Sequence, residues 1–188
     1  MSLSSITPML RILSRTISIV GYKYEHPFQP LVDDIINYRR EIEMPFTAKN
    51  PNFAEDVKNS FTAQRVMNLI GASLSMIEAG AVDITLPYRE DLTQQNGFIH
   101  AGIITTIADS SCGYAAYSMM PADSAVLSVE FKINLLKPAI GERFTAEGRV
   151  IRAGKTLTVA QCDVLAHRDS EREVIAIMQA TIMRLEKK

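Results

Sequence analysis

FIHAGIITTIADSSCGYAAYSMM, residues 98–120, decides how the rest of the chain is read. Its small and apolar residues suit a buried element, but its Thr and Ile content leaves propensity undecided between helix and strand. Length settles the matter. A buried strand runs to ~8 residues, so this stretch predicts a central helix of about five turns. On both sides of it the hydrophobic period is two. Upstream, Val82, Ile84 and Leu86 alternate with Asp83 and Thr85 until Pro87 closes the run, and the polar loop YREDLTQQNG then leads to the helix. Downstream, AVLSVEFKINLL sets Leu127, Val129, Phe131, Ile133 and Leu135 between Ser128, Glu130, Lys132 and Asn134, the pattern of a half-buried strand. The turn KPAIGE follows, then the strand RFTAEGRVI, the tight turn RAGK, the strand TLTVAQCDVLA, the polar loop HRDSER and the strand EVIAIMQATIMRL. Four strands in a row with short connections predict an antiparallel meander.

Ahead of the first strand, AEDVKNSFTAQRVMNLIG places Val57, Phe61, Met67 and Ile70 near helical spacing, with Gly71 as its C-cap. Residues 52–188 therefore form an α+β domain, an antiparallel sheet of about five strands wrapped round one long helix. Such a sheet leaves an edge open. A second copy that continues the sheet would close it, so a homodimer or homotetramer is expected.

Residues 1–51 read as a leader and a proline-rich arm. The first 24 carry Arg11, Arg15 and Lys23, no acid and many serines, a transit-peptide-like composition that makes a mitochondrial address the alternative to a cytoplasmic one. Pro27, Pro30, Pro45 and Pro51 then bracket one short helical piece, LVDDIINYRREIE. No stretch approaches the ~20 apolar residues of a membrane helix.

The composition narrows the function classes. With 47% hydrophobic and 22% charged residues among 188, the chain can bury a core. Twenty Lys and Arg oppose 21 Asp and Glu, so no global field recruits nucleic acid or an anionic membrane. Cys112 and Cys162 cannot build a disulfide scaffold, and neither has a metal-ligand partner at the right spacing, so no metal or cofactor is expected. Cys112 reads as a small core residue, and His26 and His167 as exposed.

Two features of the central helix point to chemistry. Asp109 stands among apolar and small residues, and a carboxylate there is either hydrogen-bonded to a neighbour such as Ser110 or Ser111, or a base or nucleophile tuned by its enclosure. His100 opens the helix between Gly97 and Gly102, where free backbone N–H groups can polarise a carbonyl. Eight residues at ~1.5 Å each put Ala101 and Asp109 roughly 12 Å apart, so one carbonyl cannot touch both in one chain. If both act on one substrate, the site is shared across a two-fold axis.

NGFIHAGIITTIADSSCGYAA, LSVEFKINLLKPA and RAGKT together resemble the hotdog-fold acyl-CoA thioesterases of the phenylacetate-degradation type, over about residues 55–185. The resemblance implies an acyl-CoA substrate, with Asp109 activating water or attacking the thioester. It implies that the Ala101 N–H polarises the carbonyl, that His100 orients the helix start, and that Ser128 holds the water or the acid. The family's amide six residues before the His falls on Gln94, with Gln95 and Asn96 beside it and Gly102 lining the approach. Lys137, Arg152 and Lys155 match turns that pass the CoA phosphates. Ala101 replaces a glycine of the family motif, which is tolerable because only its N–H is needed. Two other readings stand beside this one: a hotdog dehydratase, which needs a histidine base, and a non-catalytic acyl-CoA sensor, which needs a DNA-binding segment ahead of the domain. The acyl pocket depends on Tyr114, Tyr117 and Met119, whose placement the sequence leaves open.

Overall fold

A computed structural model describes residues 46–186. The leader and most of the arm, with His26, lie outside them. The first helical segment is two helices, α1 (Phe53–Ala63) and α2 (Arg65–Ile70), where one was expected. The break has a cause in the spacing: Val57 and Phe61 are buried on α1 and Met67 and Ile70 on α2, but the six-residue step from Phe61 to Met67 fits no helical repeat. Gln64 takes an extended ψ of 93° between them, and Gly71 caps α2 at φ 76°.

Six strands follow, rather than about five: β1 (Ser73–Glu78), β2 (Ala81–Pro87), β3 (Ser124–Leu135), β4 (Arg143–Ala153), β5 (Leu157–Arg168) and β6 (Glu171–Glu186). β1 was not foreseen. It is a short edge strand with a register shift between Leu74 and Met76, so it carries no clean alternation. The central helix α3 (Ala101–Tyr117) is shorter than residues 98–120 but has the expected length of about five turns.

The strand order is β1-β2-β4-β5-β6-β3, which corrects the meander. β4, β5 and β6 are consecutive neighbours, whereas β3 pairs with β6 at the far edge. The seven residues between β3 and β4 can reach ~23 Å, more than the roughly 14 Å across three strand spacings, so a short connection does not force adjacency.

The sheet wraps α3, and the apolar core fills the space between them. One polar tether crosses that core. The Ser111 hydroxyl, with its side chain fully buried, donates to the carbonyls of Val82 at 2.7 Å and Ala146 at 3.1 Å. Gly148 lets the helix come this close, since a Cβ there would stand 2.4 Å from Ser111 Oγ and 2.6 Å from its backbone C and O.

Candidate active site

The start of α3 is organised by the loop before it. Gln94 N–H donates to Phe98 O at 2.8 Å, Gly97 turns the chain at φ 81°, and Thr93 and Ile99 form a bridge. Gln94 Oε1 accepts from the backbone N–H of Asn96, so its oxygen is used within the loop and its NH2 is the group left for a ligand. Gln95 and Asn96 are exposed.

His100 is the N-cap. Its Nδ1 accepts from Gly102 N–H at 2.8 Å, and its carbonyl accepts from Ile103 at 2.9 Å and Ile104 at 3.3 Å. A side chain at Gly102 would press on the imidazole, its Cβ standing 3.0 Å from His100 Nδ1. Of the first four N–H groups of α3, three are thus satisfied. The fourth belongs to Ala101, which no group among the described residues accepts.

Two turns further along, Asp109 is half-buried, not enclosed as its apolar neighbours suggested. Its partner is neither Ser110 nor Ser111. Ser128 Oγ donates to Asp109 Oδ1 at 2.7 Å, from β3. Asp109 Oδ2 makes no other hydrogen bond or ion pair among the described residues.

A bulge on β3 sets this contact. The register runs Ser128↔Ile182 and then Glu130↔Thr181, leaving Val129 as an extra residue. Val126 and Ser128 therefore share the helix-facing side with Phe131, Ile133 and Leu135, while Leu127 faces out. The unbroken alternation read from the sequence is corrected here. β3 is also more open than a half-buried strand, with Leu127, Val129, Phe131 and Leu135 each 45–53% exposed.

The remaining candidates scatter. Lys137 pairs with Glu173 near the β5–β6 turn, while Arg152 and Lys155 stand at the β4–β5 turn, at the other end of β5. One chain does not bring these cations together. His167 is buried, not exposed: its Nε2 lies 2.9 Å from Thr145 Oγ1, and its Nδ1 lies 3.2 Å from an Arg143 guanidinium nitrogen. Burial first, then Arg143 and Arg172, hold its pKa below the ordinary value. The adjacent Cys112 thiol, and then burial, push Cys162 well above the usual thiol range, so it is a poor nucleophile. No metal-binding cluster of His, Cys, Asp and Glu occurs among the described residues. Nor is any described helix long and apolar enough to cross a membrane.

Sequence reading missed one feature beside the helix start, a groove of about 460 Å³ whose lining includes Tyr88, Phe98, Ile140 and Arg168. Four separate stretches of sequence meet there, so no local motif announces it.

Residues 96–173 match the family model described as the thioesterase superfamily. A thioesterase family protein from Silicibacter pomeroyi has a crystal structure 49% identical to this chain, covering 71% of this chain and 98% of its own, with a TM-score of 0.70. A relative from Saccharolobus solfataricus is 33% identical over 101 residues, which cover 54% of this chain and 71% of the relative. The chain belongs to the thioesterase superfamily. The PaaI protein of E. coli, from the phenylacetic acid degradation operon, shares the fold at 15% identity and a TM-score of 0.66, covering 75% of this chain and 99% of its own. The sheet wrapped round α3 is thus the hotdog fold, and this member of the superfamily is a thioester hydrolase.

Proposed function

We propose that this thioesterase hydrolyses an acyl-CoA thioester in a site built by two subunits. The observation that carries the reading is the pairing of a hydroxyl-anchored carboxylate, Asp109 with Ser128, with a helix whose Ala101 N–H has no acceptor among the described residues. The two lie eight residues apart on one helix, roughly 12 Å, too far for one carbonyl. An antiparallel second helix brings the Ala101 N–H of the partner subunit opposite Asp109.

In that arrangement Ser128 holds Oδ1 and leaves Oδ2 to act. Oδ2 either takes a proton from water, whose hydroxide attacks the thioester carbon, or attacks that carbon itself to give an anhydride that water then opens. The carbonyl oxygen gains negative charge and is met by the Ala101 N–H. The C–S bond breaks as the carbonyl re-forms, and the thiolate takes up a proton. His100 keeps the donor aimed, because its Nδ1 serves as a hydrogen-bond acceptor for Gly102. That engagement counts against the dehydratase reading.

The open edge of β3 is the natural contact. The helix and β3 run in opposite directions, with Ser128 beside Asp109 at one level and Ile99 N–H donating to Ala139 O at the other. The two-fold axis stands midway along that ~12 Å, about two ladder steps from Ser128, and with the extra residue Val129 this sets it near Phe131. That axis puts Glu130 opposite Lys132 of the partner subunit, a favourable cross-strand pair.

The test is thiol release from a panel of phenylacetyl-, benzoyl-, short- and medium-chain acyl-CoAs, with Asp109→Asn as the comparison. The native chain hydrolyses at least one of them, and the variant, still folded, loses roughly a hundredfold or more in kcat. Native protein that binds acyl-CoA but releases no thiol would sink the reading and favour the sensor.

A further inference from the structure

Gly113 lies one turn of α3 beyond Asp109, on the same side of the helix. A glycine is ordinarily required by a backbone that other residues avoid or by a neighbour that a Cβ would strike. Gly113 meets neither condition: it is not among the positive-φ glycines, and a Cβ there would find no atom of the described residues within 4 Å. Gly148, pressed against Ser111, shows the contrast. Glycine inside a helix is less stable than alanine, and nothing in the packing of the described residues offsets that loss here.

We propose that Gly113 leaves room for the acyl chain of the thioester and sets the chain length the site accepts. The proposal rests on the part of that reading that places the thioester of a bound acyl-CoA beside Asp109. From Asp109 a bound thioester can extend along α3 in two directions. Toward the helix N-terminus stand Thr105 and Thr106, whose hydroxyls donate back to the carbonyls of Ala101 and Gly102 at 2.8 Å. Toward the C-terminus come Gly113, then Tyr117, Met119 and Met120, the last three each at most 9% exposed. The apolar chain takes the apolar direction, and the CoA arm takes the other. Tyr114 lies off this path, its hydroxyl turned to Ser60 and Gln64. A side chain at position 113 would stand where the chain passes.

The experiment measures the affinity of non-hydrolysable S-alkyl-CoA thioethers, from short to long chain, for the native protein, Gly113→Ala and Gly113→Leu. Light scattering and thermal unfolding are recorded on the same samples. Native affinity rises with chain length. Gly113→Leu weakens the long-chain thioether about tenfold or more and the short-chain one less than about twofold. Gly113→Ala gives the same trend with a smaller loss and an unfolding temperature no lower than native, and it decides the case if the leucine variant does not fold. Equal losses at every chain length, a changed oligomeric state, or no thioether binding by the native protein would overturn the proposal. Because binding is read without turnover, a native chain that binds with length preference but releases no thiol sinks the catalytic reading and leaves this one standing.

Discussion

Ala101→Pro removes one hydrogen atom from the proposed chemistry and little else. Position 101 is the first residue of α3, where proline is well tolerated because that N–H has no partner within the helix. The residue before a proline must be extended, and His100 already holds φ −59° and ψ 136°. The cap from Gly102 N–H to His100 Nδ1 does not involve the Ala101 nitrogen and survives. Stability should therefore stay within about 0.5 kcal/mol of native. Losing a single oxyanion donor costs about 10²–10³ in kcat, equivalent to roughly 3–4 kcal/mol of transition-state stabilisation. Thiol release gives kcat and KM, and circular dichroism gives the unfolding temperature. Mixing makes the test sharper. When Ala101→Pro and Asp109→Asn subunits are unfolded and refolded together in equal amounts, half of the dimers are mixed, and each mixed dimer carries one site with both defects and one with neither. Activity then returns to about a quarter of native from two inactive parents. An Ala101→Pro variant with native kcat would remove the oxyanion role, and a mixture as inactive as its parents would refute the shared site.

Two further outcomes follow from the packing. Gly148→Ala should destabilise the fold by about 3 kcal/mol, since its Cβ would press on the backbone of Ser111 as well as on its hydroxyl. Urea unfolding checks this, and adding Ser111→Ala should not restore stability; a rescue would show that only the hydroxyl was in the way. His167 titrates in the folded state below its ordinary pKa, so the unfolded chain holds more protons in the window below about 6.5. Stability is full above that pH and falls as pH drops toward the lowered folded value. His167→Gln should flatten this slope in unfolding measured across that range, and an unchanged slope would assign it to other groups.

Much of the architecture was legible because period and length are local. The switch from alternation to a long apolar run and back marks α3 between strands, and Gly71 marks the end of α2. What escaped is what depends on distant partners. The sequence places β3 before β4, but whether they touch depends on where α3 delivers the chain, and it delivers β3 to the far edge. At the site, Asp109 and Ser128 were both visible as candidates, but only the family resemblance, and no spacing, implied that the serine could hold the acid. His167 looked exposed in a polar loop, whereas the end of β5 and Thr145 of β4 enclose it. Lys137, Arg152 and Lys155 looked alike as basic turn residues until the length of β5 separated them.

A strand writes its two faces as odd and even positions, and an inserted residue flips that parity for everything beyond it. Val129 is such a flip. Removing it would leave Ser128 beside Asp109 and send Phe131, Ile133 and Leu135 to the outside, or else keep those three and turn the serine away. Every other residue identity would survive that deletion, and the shared wall would not. The hydroxyl and the apolar surface beside it share a wall only while this one position is counted, so point substitutions in β3 are a milder perturbation than a change in its length.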